Sequence, residues 1–177
     1  MRTRILHILA LLVLLGVNTL SAHAAQSGVE YKVKAAFLLN FAHFVTWPAQ
    51  SSSSESFPLC VLGEDPFGEA LTGIETKKVG GKHVSIHYLK SSSSKLGQCR
   101  MVFISRSEKN NLSRILGRIA GKPVVSVSDI DGFSAAGGLF EFKDQRGRLS
   151  FIINNTQAKS MGLSISSSLL NLAVDVL

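Results

Sequence analysis

The apolar residues over 29–46 follow the spacing of a helix and fill both of its sides. One side carries Val29, Val33, Ala36, Phe37, Asn40, Phe41 and Phe44. The other side carries Ala35, Leu38, Leu39, Ala42 and Val45. A helix that is apolar all round needs burial on two sides. We therefore expect one side to pack on a sheet and the other to face a second helix, a second subunit or a partner protein.

Short apolar runs bounded by Ser-, Gly- and Asp-containing turns predict strands over the rest of the chain. They cover residues 57–63, 84–89, 101–105, 123–127, 139–142 and 149–153. The last two flank Asp144–Gly147, which predicts a hairpin, and a helical pattern over 107–120 lies between strands. This alternation predicts an α/β fold: a three-layer single domain whose mixed, five- to six-stranded sheet is flanked by helices.

The final segment predicts one more helix, because its apolar residues fall on a single stripe. The stripe consists of Ile165, Leu169, Leu172 and Val176.

Residues 1–24 have the three-part pattern of a secretory signal peptide. Arg2 and Arg4 precede an apolar run, and small residues around Ala22 and Ala24 form a cleavage site. The alternative is an uncleaved membrane anchor, which the shortness of the apolar run disfavours. We expect a mature α/β domain over residues 25–177, located in the periplasm.

The chain has a formal net charge of +7, and loss of Arg2 and Arg4 with the signal lowers it by two. A basic exported protein rarely meets nucleic acid. Its anionic partners are expected to be a membrane surface, a small ligand or an acidic protein face, and simple solubility is the alternative explanation of the charge.

Cys60 and Cys99 are the two cysteines of the chain. Thiols usually pair in an oxidising compartment, so export favours a structural disulfide between them. The alternative is a zinc site, which would need histidines such as His83 and His87 and lacks the usual CxxC spacing. We predict no metal.

The sequence contains none of the common catalytic motifs, such as GxSxG, HExxH, a Walker loop or GxGxxG. His43 lies in the apolar helix with no carboxylate or nucleophile near it in sequence. Asp129 and Asp131 resemble the start of a calcium loop but lack its glutamate, so we interpret them as turn residues. A binding protein without a cofactor is favoured over an enzyme.

An ordered series of motifs resembles the YfiR-like periplasmic proteins from about residue 30 to residue 177. The motifs are Tyr31–Phe41 with Trp47-Pro48, Pro66–Gly68, Val127–Asp129, Gly132-Phe133, Gly137-Gly138, Phe151–Asn154, Gly162-Leu163 and Ser167–Ala173. The resemblance implies an α/β regulator that dimerises. It also implies binding to the periplasmic domain of a YfiN-type membrane diguanylate cyclase, which lowers cyclic-di-GMP and biofilm formation.

The resemblance further implies modulation by redox state and by a small ligand. Cys60 and Cys99 match one family disulfide, whereas a second cysteine pair of some members would fall at Ser134 and Glu141. Ile152 stands where a glutamate is common in the family. The predicted partner or ligand contacts are Phe37, Phe41, Phe44, Ile152, Asn154 and Ala158.

Two other functions stay open at this level. A small-ligand module acting on another membrane receptor, such as a sensor kinase, would use a crevice at the strand ends. An exported hydrolase would need a base paired with a serine, which the sequence does not indicate.

Overall fold

The computed structural model describes residues 18–49 and 55–177. Most of the predicted signal peptide, residues 1–17, lies outside the described residues. The first described element, helix α1 (Asn18–Phe44), spans the predicted cleavage position. The boundary between residues 24 and 25 therefore stays a prediction.

Ten strands and four further α-helices follow α1 in the described residues. In chain order they are β1 (Val45–Thr46), β2 (Phe57–Leu62), α2 (Thr72–Glu75), β3 (Lys78–Val79), β4 (Lys82–Leu89), β5 (Met101–Ile104), α3 (Leu112–Ile119), β6 (Val125–Ser128), β7 (Phe140–Gln145), β8 (Arg148–Ile153), α4 (Asn155–Ser160), β9 (Ser164–Ile165), α5 (Ser167–Leu170) and β10 (Asp175–Val176). Three 3₁₀ segments over Gly68–Leu71, Ser94–Gln98 and Arg106–Asn111 complete the described elements.

Eight strands form one mixed sheet in the order β10-β8-β7-β6-β5-β2-β4-β3. The pairs β7–β8 and β3–β4 are antiparallel, and the other neighbours are parallel. A two-stranded antiparallel pair of β1 and β9 lies apart from it. The α/β class and the mixed sheet are confirmed. The predicted count of five to six strands is wrong, because two-residue strands β3 and β10 extend the two edges.

The central strands are buried on both sides, as parallel strands between helical layers usually are. Leu59, Val61 and Phe103 point into one core, which contains the buried side of α1. Cys60 and Val102, which alternate with them along the strands, point into a second core, which contains Ile115 and Ile119 of α3. We call these the α1 core and the α3 core.

Helix α1 buries one arc and exposes the other. The buried arc consists of Lys34, Ala35, Leu38, Phe41 and Ala42. We call the opposite arc the outer face of α1; it consists of Val29, Val33, Ala36, Phe37, Asn40 and Phe44. The helix ends at Phe44 because β-branched Val45 and Thr46 pair with Ile165 and Ser164.

The predicted closing helix over 165–176 is wrong. Ile165 lies in β9, and α5 ends at Leu170. The backbone amides of Val174 and Leu177 donate to Phe151 O and Ile153 O, which draws the chain onto the sheet as edge strand β10. The predicted hairpin is confirmed: Asp144 Oδ1 accepts from Gly147 N at 2.7 Å, and Arg146 takes the left-handed turn conformation.

Candidate functional site

The outer face of α1 exposes apolar side chains along its length. Val29, Val33 and Phe44 are 62%, 42% and 39% exposed, respectively. Phe37 is half-buried, and its ring lies against Phe142 of β7 with centroids 6.0 Å apart. The predicted contacts Phe37 and Phe44 are therefore on the surface of the domain.

Phe41, another predicted contact, lies at the centre of the α1 core with 0% exposure. Its ring stacks on Phe140 at 4.4 Å and meets Phe151 edge-on at 5.0 Å. A partner could reach this ring only if the helix left the sheet, so its place in the structure gives it a packing role.

The other predicted contacts lie around the end of β8. Ile152 is half-buried and opposite Glu141 in the sheet register. Asn154 caps α4 by accepting from Gln157 N at 2.8 Å, and it donates from Nδ2 to Ser134 O at 2.8 Å. Ala158 is fully buried. Of these three, Ile152 and Asn154 keep surface that a partner or ligand can reach.

The predicted disulfide between Cys60 and Cys99 is confirmed. Cys60 lies in β2, and Cys99 follows a 3₁₀ turn directly before β5, the neighbouring strand. Their Cα atoms are 6.0 Å apart, a usual separation for a disulfide. The bridge lies in the α3 core.

An ionic cluster, buried except for Glu30 and half-buried Tyr31, joins α1 to the end of β6. Lys34 Nζ donates to Asp129 Oδ2 at 2.6 Å and lies 2.5 Å from Glu30 Oε1. Tyr31 Oη donates to the same Asp129 oxygen at 2.8 Å. We call Glu30, Tyr31, Lys34 and Asp129 the Asp129 cluster. Asp131 lies in the turn after β6, as interpreted, whereas Asp129 directly precedes that turn and its side chain holds the helix to the sheet.

The sequence contained one signal of this cluster. Lys34 falls on the same helical arc as Leu38 and Phe41, and a lysine on a buried arc needs an acidic partner. Sequence alone does not name that partner, because it lies 95 residues away. Burial raises the pKa of the Tyr31 phenol, and the charge of Asp129 and their hydrogen bond raise it further, so Tyr31 stays a donor.

A second polar contact joins Ser134 and Glu141, the two positions where the family resemblance implies a second cysteine pair. Ser134 Oγ and Ser134 N donate to Glu141 Oε2 at 2.7 and 2.9 Å. Gly132 N donates to Glu141 Oε1 at 3.0 Å. A hydrogen-bonded carboxylate thus holds the loop after β6 against β7, at the two positions where the family resemblance implies a second cysteine pair.

The environment of Glu141 favours its ionised form. Burial acts to raise its pKa, but the hydrogen bonds from Ser134, Gly132 and Lys143 outweigh that effect, so the pKa of Glu141 is lowered. A glutamate at position 152 would stand directly across the strand pair from this carboxylate. Like charges so placed destabilise a sheet, which is a physical reason for Ile152 here.

A cavity of about 480 Å³ opens between the outer face of α1 and the β7–β8 hairpin. Val29, Val33, Phe142 and Leu149 form its apolar wall. Its polar wall consists of Glu30, Lys34, Arg106, Asp129, Lys143 and Asp144. This volume suits a small organic molecule.

Within residues 18–49 and 55–177, none of the helices combines the length and apolar character needed to cross a bilayer. In the same ranges, no three His, Cys, Asp or Glu side chains cluster in a way that could hold a metal ion.

The family model described as YfiR/HmsC-like matches residues 31–174. The chain belongs to the YfiR/HmsC-like family. Its match covers α1 from Tyr31 onward, both cores, the disulfide and the Ser134–Glu141 contact. Membership implies a regulatory role of the YfiR type, in a family whose members are generally non-catalytic.

The fold is also similar to a solved structure described as a conserved domain protein from Vibrio cholerae O1 biovar El Tor. The TM-score is 0.54 at 9% sequence identity, and the match covers 81% of this chain and 60% of that one. At this identity, the likeness supports the α/β fold alone.

Proposed function

We propose that this protein is a periplasmic regulator that binds the periplasmic domain of a YfiN-type membrane diguanylate cyclase and holds the cyclase inactive. The family match over residues 31–174 carries the proposal. The Cys60–Cys99 disulfide fits an exported protein, because disulfides persist in oxidising compartments.

Repression across a bilayer requires no catalysis, only tighter binding to the inactive state of the cyclase. To move the cyclase from 99% active to 1% active, the regulator must prefer the inactive state by about 5.5 kcal/mol. An interface of ordinary size can supply such a difference.

We assign the contact with the cyclase to the outer face of α1. Val29, Val33 and Phe44 are apolar, exposed and aligned on one side of a helix whose other side is anchored in the α1 core. A rigid helix with aligned apolar side chains is a common way to bind a groove in a partner. A second copy of this chain is the competing occupant of the same face.

The test measures cyclic-di-GMP in cells that lack the gene and carry a variant in its place. Deletion should raise cyclic-di-GMP, and the wild-type gene should restore it. The double variant Val33→Glu/Phe44→Glu should fail to restore it while remaining folded by circular dichroism. The matched control is Tyr88→Glu, an exposed aromatic residue on β4, which should restore it.

Unchanged cyclic-di-GMP on deletion would contradict the proposed function. Full restoration by the double variant would contradict the assignment of the contact to α1. Light scattering of the wild-type protein and the double variant tests the second-copy alternative. If a second copy occupies this face, the double variant should have a lower particle mass than the wild type. The proposed location requires that the protein in the periplasmic fraction lacks residues 1–24.

The small-ligand module is the second candidate, because the cavity beside α1 has the size of a ligand site. The two candidates are compatible if ligand binding alters the contact of α1 with the cyclase.

A further inference from the structure

Strand β4 leaves part of the sheet edge open. Its outer neighbour β3 pairs only with Lys82 and His83, although β4 continues to Leu89. Among the described residues, no other strand pairs with the outer side of β4. The backbone of such an edge is a template for pairing with another chain.

The sheet register shows which residues of β4 face β2. In a parallel pair, every second residue of a strand directs both its N–H and its C=O to the same neighbour. Leu89 O accepts from the backbone N of Gly63, the residue after β2, at 3.0 Å. Ser85, His87 and Leu89 therefore direct their backbone groups to β2.

The intervening residues of β4 face the open edge. Val84 shows this direction, because its N–H donates to Lys77 O, next to β3, at 3.0 Å. Ile86 and Tyr88 follow in the same direction, beyond the two residues that β3 pairs. Tyr88 is 58% exposed, so a partner can reach the edge there. The two N–H and two C=O groups of these residues can make four hydrogen bonds with an extended segment.

A cavity of about 400 Å³ lies beside this edge, on the α3 side of the sheet. His87 is opposite Cys60 in the register, and the side chain of Cys60 lies in the α3 core. The cavity wall includes His87 and Leu89 of β4, the Cys60–Cys99 disulfide and Lys95. Because side chains alternate between the two faces of a strand, every second side chain of an added strand points to the side of the cavity.

The charges at the edge favour acidic side chains on that side. The described residues of the cavity wall include exposed Lys95 and no carboxylate, and exposed Lys90 directly follows β4. Burial, together with the charges of Asp65 and Glu75, raises the pKa of Tyr88, whose side chain is on the opposite, α1 side of the strand. These two acids therefore act on the other face of the edge, and the α3 side is complementary to a carboxylate.

A second copy of the chain fits this edge poorly. Lys77, Lys78, Lys82 and Lys90 flank the open part of β4 at its two ends. Two such edges placed together would repel each other, and lysines at a sheet edge are a common means of preventing pairing between copies. An acidic segment of a different protein meets attraction at the same positions.

We propose that the β4 edge binds an extended acidic segment of another protein. The segment adds a strand to the sheet through the backbone of Ile86 and Tyr88 and directs a carboxylate towards Lys95. The side chain of Tyr88 is not part of the contact. The inference does not rest on the proposed function, because this edge is separate from the outer face of α1, to which repression of the cyclase is assigned.

The experiment uses two blocked heptapeptides, Thr-Glu-Val-Glu-Val-Glu-Thr and the same peptide with lysine in place of each glutamate. Amide hydrogen exchange of the purified protein is followed in ¹⁵N–¹H spectra. The acidic peptide should slow the exchange of the Ile86 and Tyr88 amides at least tenfold, whereas the lysine peptide should not. The amides of His87 and Leu89, which face β2, are the internal reference.

A pair of charge variants tests the direction of the carboxylate. Lys95→Glu should weaken binding of the acidic peptide at least tenfold, because it replaces attraction by repulsion. The matched control is Lys159→Glu, which changes the net charge equally at an exposed position of α4 and should bind as wild type. Undiminished binding by Lys95→Glu would refute the assignment to the α3 side.

Two other results would overturn the proposal as a whole. One is exchange of Ile86 and Tyr88 that neither peptide slows, or that both peptides slow equally. The other is protection of these amides that rises with protein concentration in the absence of peptide, which would assign the edge to a second copy.

Discussion

The α1 core is built from phenylalanine rings, whereas the α3 core is built mainly from aliphatic side chains around a disulfide. Phe41, Phe140, Phe142 and Phe151 meet one another in the α1 core. In the α3 core, Ile115 and Ile119 of a two-turn helix cover the sheet beside Cys60–Cys99. The long helix α1 brings enough apolar area to cover its side of the sheet. The short helix α3 brings less, and the Cys60–Cys99 disulfide adds a covalent bond on that side.

Each side of the sheet also has its own polar link between elements. The Asp129 cluster ties α1 to the end of β6. On the α3 side, Glu141 ties the loop of residues 132–134 to β7. We therefore expect substitutions in the α1 core and on the α3 side to lower the free energy of unfolding by different amounts and under different conditions.

The largest effect is expected from the ring at the centre of the α1 core. Phe41→Ala should lower the free energy of unfolding by about 4 kcal/mol, because it leaves a cavity between Phe140 and Phe151. The control Phe44→Ala, three residues along the same helix and 39% exposed, should cost less than about 1 kcal/mol. Urea titration measures both. Similar losses for the two variants would contradict the packing described for α1.

The next effect concerns the disulfide of the α3 core. The double variant Cys60→Ser/Cys99→Ser should lose about 3 kcal/mol of unfolding free energy, since the open chain gains conformational freedom when unfolded. The loss should vanish when both proteins are compared in a reducing agent. A difference that persists under reduction would show that the serines, not the missing bond, cause it.

A smaller effect is expected at the contact that replaces the second cysteine pair. Ser134→Ala removes the 2.7 Å hydrogen bond to the ionised Glu141 and should cost about 1.5 kcal/mol. Ser113→Ala, at an exposed position of α3, is the control and should change stability by less than about 0.5 kcal/mol. Equal behaviour of the two variants would mean that the Ser134 hydroxyl contributes nothing net.

The smallest effect is a pH dependence. Because the pKa of Glu141 is lower in the folded protein than its ordinary value of 4.5, its carboxylate stabilises the fold above that pH. The stabilisation is lost as the pH falls through the lowered pKa. Wild type should therefore lose its advantage over Glu141→Gln between neutral and acidic pH, as followed by urea titration at several pH values. A constant difference between the two proteins at all pH values would contradict this origin.

The sequence predicted those parts of the fold that have a local pattern. Each of the six longer strands of the sheet overlaps a segment predicted from its apolar or alternating pattern between turn residues, and the pattern of α1 identified its two apolar sides. The edge strands β3 and β10 have two residues each and depend on the neighbour with which they pair, so no periodicity marks them.

The candidate site was less predictable for a related reason. Phe37, Phe41 and Phe44 were all predicted as contacts on α1, but only the structure shows that Phe41 is buried against the sheet. The Asp129 cluster and the Ser134–Glu141 contact join residues from separate elements. The cavity depends on where the β7–β8 hairpin meets the helix, which is a tertiary property.

The Ser134–Glu141 contact has a consequence for disulfide formation on the proposed export route. Four cysteines can pair in three different ways, whereas the two in this chain can pair in only one. Oxidation of the two thiols can therefore give only the Cys60–Cys99 bridge and needs no isomerase to correct it, while hydrogen bonds that no thiol reagent can break hold the neighbouring loop.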